Sequence, residues 1–144
     1  MGRTLAKRLV DHPELNLTAA TEQPGSAWIG RDLGELIGVG KLDICVSDGL
    51  SAVIEDCDTV IDFTRPEATL EHLSICLDSV KNLVVGTTGF TSAERQMIDQ
   101  AAAKIGLVIA SNFAIGVNAA FKLVEIAARI LGPEAEVEIV EMHH

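Results

Sequence analysis

Short apolar runs rich in β-branched residues alternate with segments of helical period along most of this chain, and that alternation restricts the fold more than any single residue does. Strands that recur with a helix between them are not joined by tight hairpins; they build a parallel sheet with crossover helices, an α/β architecture. LNLTAATE (15–22), KLDICVS (41–47), TVIDFT (59–64), NLVVGTT (82–88) and LVIASNF (107–113) read as strands, with VEIVEMHH (137–144) as a final one. The intervening helices are RTLAKRLVDH at 3–12, with Leu5, Leu9 and Val10 on one face, a short one around SAVIEDC, EATLEHLSICLDSV after Pro66, one from Thr91 to about Lys104, and NAAFKLVEIAARIL at 118–131. Local punctuation supports these boundaries. Pro66 stands where a helix has no use for its first N–H, Thr91-Ser92-Ala93-Glu94 has the form of a capping box, and Gly132-Pro133 is a stop signal.

Composition then bounds what such a sheet can do. A length of 144 residues suits one domain, and with 48% hydrophobic but only 3% aromatic residues its core is aliphatic. A net charge of -10 opposes phosphate backbones and anionic lipid surfaces, so no nucleic-acid or membrane partner is expected. No apolar run reaches the roughly 18 residues of a membrane span, and Arg3, Lys7 and Arg8 meet only Leu9-Val10 before Asp11, too little for a signal-peptide core. The expected compartment is the cytoplasm. Cys45, Cys57 and Cys76 are odd in number and lack C-x-x-C spacing; they read as buried reduced thiols, with no metal site.

Ligands of an open parallel sheet bind outside the carboxyl ends of its strands. Polar residues collect there: Glu22, then Asp62-Phe63-Thr64-Arg65, then Gly86-Thr87-Thr88-Gly89, then Ser111-Asn112-Phe113. Each has a plainer reading by itself, since Gly-Thr-Thr-Gly can be only a turn and Asn112 can serve local backbone. Their shared position favours a site. Glu22 is the sharpest, because a Rossmann unit ends its second strand in an acid that accepts hydrogen bonds from ribose hydroxyls, about 20 residues after a glycine-rich loop. Counting back from Glu22 reaches Met1-Gly2-Arg3, so the glycine loop and first strand are expected at or before the start of this chain. The competing reading makes Glu22 a solvated loop acid before Pro24-Gly25.

IDFTRPEATLEHL (61–73), VVGTTGF (84–90), SNFAIGVN (111–118) and VEIVEMHH (137–144) together resemble the signature segments of the dihydrodipicolinate reductase family, the 4-hydroxy-tetrahydrodipicolinate reductases of lysine and diaminopimelate biosynthesis. The resemblance implies a Rossmann-like doubly wound parallel sheet, here lacking its first strand and the second, substrate-binding domain. Residues 1–136 then form an incomplete dinucleotide-binding domain, and 137–144 the first strand of the substrate domain. By the same resemblance Met1 ends the phosphate-binding loop and Glu22 is the ribose acid. Gln23 stands where many members have an arginine that meets the 2′-phosphate of NADP, so of the cofactors NADH and NADPH, NADH is expected to serve at least as well. Gly86, Thr87 and Thr88 match the turn along the nicotinamide half, Ala110, Ser111, Asn112 and Phe113 match a second such segment, and Arg65 lies near the cofactor or in a structural salt bridge.

His143 matches the family's proton donor or acceptor and His144 a substrate-contact histidine. Hydride reduction of a cyclic unsaturated dicarboxylate leaves electron density that a nearby acid must quench, and a histidine does this near neutral pH. A terminal histidine pair could instead be the stub of a purification tag; the preceding VEIVEM favours the catalytic reading. His12 and His72 read as surface or helix-packing residues. The expected partner is a small dicarboxylate substrate, and the intact family member is expected to be a homotetramer. Alone, this chain is expected to be weak or inactive as a reductase. Two other functions remain open: a non-enzymatic NADH-binding module, which would not need His143, and another nicotinamide oxidoreductase of the same fold.

Overall fold

A computed structural model describes residues 1–138 and residue 140. They fall into two compact units, Met1–Ala110 and a second that begins at Ser111.

The first unit opens with helix α1, Gly2–Val10, followed by strand β1, Ala20–Thr21, the five-residue helix α2, Leu33–Ile37, and strand β2, Val46–Ser47. β1 and β2 pair in parallel, Ala20 opposite Val46. Strand β3, Thr59–Asp62, helix α3, Pro66–Ser79, strand β4, Asn82–Val85, helix α4, Ser92–Ala101, and strand β5, Leu107–Ile109, then form a parallel sheet in the order β3-β4-β5. The strand and helix alternation is therefore realised as parallel sheets with crossover helices, a Rossmann-like α/β fold.

Side-chain alternation explains where the core lies. Leu83 and Val85 of β4 are 1% and 0% exposed, while Asn82 between solvent and sheet is exposed. They pack with Leu73 and Cys76 of α3 and with Ile98 and Ala101 of α4, joined by Leu50, Ile54 and Ile105. Each large aliphatic side chain buried in this way contributes about 1.5–3 kcal/mol. A smaller cluster, Ala6, Leu33, Ile37 and Val46, serves the β1-β2 half. There the Arg3 guanidinium lies 5.2 Å from the centre of the Trp28 ring, a cation–π contact that ties α1 to the loop before α2.

Helix boundaries follow the sequence closely where a capping signal exists. Pro66 opens α3. In α4 the Thr91 hydroxyl accepts from the Glu94 N–H at 3.3 Å, and the Glu94 carboxylate accepts from the Thr91 N–H at 2.6 Å and from its hydroxyl at 2.9 Å; these last two bonds hold the Glu94 carboxyl below its ordinary value.

Strands are shorter than the apolar runs suggest. Of 15–22 only Ala20–Thr21 pairs, extended by the Glu22 N–H donating to the Ser47 carbonyl at 2.9 Å. Most of 41–47 is claimed from the other side: the Gly30 and Leu33 N–H groups donate to the carbonyls of Val46 and Ile44, and the Val46 N–H donates to Arg31. Residues 30–33 thus occupy an edge of β2, with Asp32 opposite Cys45 in an antiparallel bridge. Helix α2, which periodicity did not reveal, has Asp32 as its N-cap and Gly38, with φ +78°, as its C-cap. The helix expected around SAVIEDC is two short 3-10 turns, Leu50–Ala52 and Ile54–Asp56. The cysteine reading needs correction as well. Cys76 is buried, and burial pushes its thiol up to about 11; Cys57 is half-buried, but Cys45 is exposed because it alternates with Ile44 and Val46.

The second unit carries helix α5, Ile115–Leu131, which starts three residues before the expected boundary and stops at Gly132. Lys122 and Arg129 both pair with Glu125, forming a charged stripe, while Phe121, Leu123 and Ile130 are exposed. In the expected final strand, Val137, Glu138 and Val140 are described and lie outside any strand; residues 139 and 141–144 lie outside the described residues. Among the described residues no helix is long and apolar enough to cross a membrane.

Candidate functional site

The carboxyl ends of β3 and β4 lie level, Asp62 opposite Val85, and the Gly86 N–H donates to the Asp62 carbonyl at 2.8 Å. Two loops therefore leave the sheet side by side: Phe63-Thr64-Arg65, leading into α3, and Gly86-Thr87-Thr88-Gly89, leading toward α4. The ring of Phe63 lies so close over Gly86 that a Cβ there would overlap it.

Asp62 joins these loops. Only 2% exposed, it would be costly to bury as a lone carboxylate, and its oxygens are accordingly filled. Oδ1 accepts from the Thr64 N–H at 2.9 Å, the Thr64 hydroxyl at 2.6 Å and, at longer range, the Thr87 hydroxyl at 3.5 Å. Oδ2 accepts from Nδ1 of His72 at 2.9 Å. A carboxylate has no hydrogen to give, so Nδ1 carries the proton. The Thr87 oxygen in turn accepts from the Thr64 N–H at 3.0 Å and the Thr69 hydroxyl at 2.9 Å. Burial pushes the Asp62 carboxyl up, but the hydrogen bonds from His72 and Thr64 outweigh it and hold the group below its ordinary value.

The residues expected to contact a cofactor are placed as follows. Glu22, at the end of β1, is half-buried and accepts through Oε1 from the Gln23 N–H at 2.8 Å; Gln23 is exposed. Met1 is the exposed N-cap of α1, its carbonyl accepting from the N–H groups of Thr4 and Leu5. Arg65 is the exposed N-cap of α3. Gly86 is half-buried, Thr88 is exposed, and Thr87 is only 6% exposed, with its hydroxyl turned into the Asp62 cluster. Ala110 donates to the Val85 carbonyl at 3.1 Å. In the second unit Ser111 and Phe113 are exposed, and Asn112 accepts through its side chain from the Ala114 N–H at 2.8 Å, the local backbone role open to it from the start. His143 and His144 lie outside the described residues.

Thr87 is thus brought together with Asp62, Thr64, Thr69 and His72. Reading His72 as a surface or packing residue missed this pairing: its side chain is 18% exposed and faces the Asp62 carboxylate. The available signal was an acid closing an apolar strand, with Thr69 and His72 one turn apart on the following helix. An open recess of about 550 Å³ lies elsewhere, between α1 and α2, lined by Arg3, Lys7, Arg8, Leu36 and Ile37 among others; none of the expected cofactor residues lines it.

The family model described as dihydrodipicolinate reductase, N-terminus, matches residues 1–113. A dipicolinate-bound dihydrodipicolinate reductase from Paenisporosarcina sp. TG-14 superposes with a TM-score of 0.70 at 24% identity, over 88% of this chain and 48% of that one. An amine dehydrogenase from Mycobacterium smegmatis superposes with a TM-score of 0.61 at 25% identity, over 76% of this chain and 35% of that one. The chain spans about half the length of the first of these proteins and about a third of the second.

Proposed function

The chain belongs to the dihydrodipicolinate reductase family, and we propose that it supplies the nicotinamide-cofactor half of a reductase acting on a dihydrodipicolinate-type dicarboxylate. The observation that carries this reading is the pair of loops leaving β3 and β4 level with each other, at the carboxyl ends where open parallel sheets take their ligands.

The residues fit a dinucleotide. Glu22 ends β1 with a carboxylate suited to ribose hydroxyls, and the exposed Gln23 beside it offers a 2′-phosphate no positive charge. The Thr87 hydroxyl is spent inside the protein, so the turn presents backbone and the exposed Thr88 to a ligand. When bound, the cofactor supplies a hydride. The chain's part is to hold and orient that cofactor, with Arg65, Ala110, Ser111, Asn112 and Phe113 as further contacts and Met1 at the phosphate end. His143 is proposed as the proton donor and His144 as a substrate contact, both from their place in VEIVEMHH. Residues 1–136 form the cofactor domain in this reading and 137–144 begin the substrate domain. Reduction of a lysine-pathway precursor, cytoplasmic location and a homotetramer belong to the same proposal, as does weak or no reductase activity of this chain by itself.

Titration of the purified chain with NADH and with NADPH, followed by cofactor fluorescence, tests it. NADH is expected to bind at least as tightly as NADPH, and Gln23→Arg to shift the ratio about tenfold toward NADPH, the size of one charge-assisted contact. Absence of binding by both cofactors would overturn the proposal.

A further inference from the structure

Asp62 and His72 have no assigned part in cofactor binding, yet they sit directly behind the turn proposed to meet the ligand. We propose that they are positioning residues for the nicotinamide cofactor: His72 orients the Asp62 carboxylate, and Asp62 fixes Thr64 and Thr87, so that the Gly86–Thr88 backbone is held ready for the ligand. The inference rests on the reading of these strand ends as the cofactor site.

Geometry divides the labour within the carboxylate. His72 occupies Oδ2, leaving Oδ1 to the Thr64 N–H, the Thr64 hydroxyl and the Thr87 hydroxyl. The partners come from three segments: Thr64 from the loop after β3, Thr69 and His72 from α3, and Thr87 from the turn itself. Thr87 is the hinge of this arrangement. Its oxygen receives the Thr64 N–H and the Thr69 hydroxyl, which sets the side chain inward and leaves the neighbouring Thr88 exposed. A core built only for stability would be served as well by an aliphatic side chain at position 62, because a buried charge with all its partners is commonly no more stabilising than an apolar replacement. What the charged cluster adds is direction, since each bond fixes a loop atom to within the narrow range of good hydrogen-bond geometry.

His72→Leu removes the donor to Oδ2, and Thr87→Val removes the hydroxyl while keeping the side chain's shape. Each is expected to weaken NADH binding about tenfold, the size of one hydrogen bond to a charged group. In His72→Asn the side-chain amide nitrogen stands near the place of Nδ1, so binding is expected to return to within about threefold of the starting chain. NADH titration should be paired with thermal melting and with amide NMR signals of residues 86–88. Variants that melt cooperatively, bind about tenfold more weakly and shift those signals support the proposal, and the Asn rescue supports it further. Variants that lose thermal stability while keeping both affinity and the 86–88 signals overturn it, leaving the cluster a structural one. Should His72→Leu fail to fold, Thr87→Val carries the same decision. An unmodified chain that binds neither NADH nor NADPH overturns the functional reading and this proposal together, whereas tight binding by the unmodified chain and both variants overturns this proposal alone.

Discussion

Asp32 and Asp62 each organise one half of the first unit, but they draw on different partners. Asp32 caps α2, accepting from the Glu35 N–H at 3.1 Å, and reaches across to the Leu42 N–H at 3.1 Å. Asp62 accepts from a histidine and two threonine hydroxyls as well as from backbone. In both, burial pushes the carboxyl up and hydrogen bonds more than reverse the effect. The difference lies in what each demands of its surroundings. Backbone N–H groups are supplied by almost any residue, so Asp32 closes a loop whatever its neighbours are; Asp62 requires particular side chains at 64, 69, 72 and 87. A half held by backbone contacts and a small core needs only to fold. A half with a larger core and a side-chain network can also hold two loops in a defined relation.

The contrast is easiest to break through the cores. Leu83 is 1% exposed in the larger cluster, and Leu33 is 6% exposed in the smaller one. Leu83→Ala is expected to cost about 4 kcal/mol of unfolding free energy and Leu33→Ala about 2 kcal/mol, the upper and lower parts of the usual range. Equal costs in chemical denaturation would dissolve the distinction between the two halves.

Glycine substitutions sharpen it. A Cβ at Gly34 would overlap the carbonyl oxygen of Gly40 and the Leu42 side chain, whereas the atoms nearest to one at Gly86 belong to the ring of Phe63. Gly34→Ala is therefore expected to cost about 3 kcal/mol, since backbone has nowhere to swing, and Gly86→Ala about 1.5 kcal/mol, since a ring can turn aside. The less costly change should be the more harmful to NADH binding, and titration of the two variants checks this reversal. Outside both aspartate clusters, Thr91→Ala removes the α4 cap and is expected to cost about 1 kcal/mol by thermal melting, with cofactor affinity unchanged.

The smallest effect is a pH dependence. A carboxyl held below its unfolded value, about 3.9, contributes stability that is fully present above that value and is lost as pH falls through the lower folded value. The part of the stability difference between the unmodified chain and Asp62→Asn that comes from this carboxyl should therefore close only below about pH 4. A difference that stays unchanged below that pH would mean that the carboxylate is not held by its partners.

Much of this was legible in sequence because the signals are local. Pro66, the Thr91 and Glu94 pair, and the β-branched runs of β3 and β4 act within a few residues, and they mark their elements closely. What escaped depends on neighbours distant in the chain. Residues 15–19 look like strand, yet pairing is confined to Ala20–Thr21. α2 has only five residues with a glycine inside it, too few for periodicity, although Asp32, Glu35 and Gly38 carry its capping chemistry. The family segments pointed to Gly86, Thr87 and Thr88, but that Thr87 faces inward, and that His72 meets Asp62, follows only once α3 lies over the end of β3.

The level ending of β3 and β4 bears on how this domain can change over generations. Leu83, Val85 and Thr87 share one face through strict alternation, and the Asp62 cluster reads the third of them. Inserting or deleting a single residue in β4 would reverse that parity, turning Thr87 outward and presenting a neighbour to the carboxylate. Point replacements at Val84 or Thr88 leave the parity intact. Descendants of this domain should thus be free to vary in spelling here and constrained in length, with insertions and deletions displaced to loops that carry no such count.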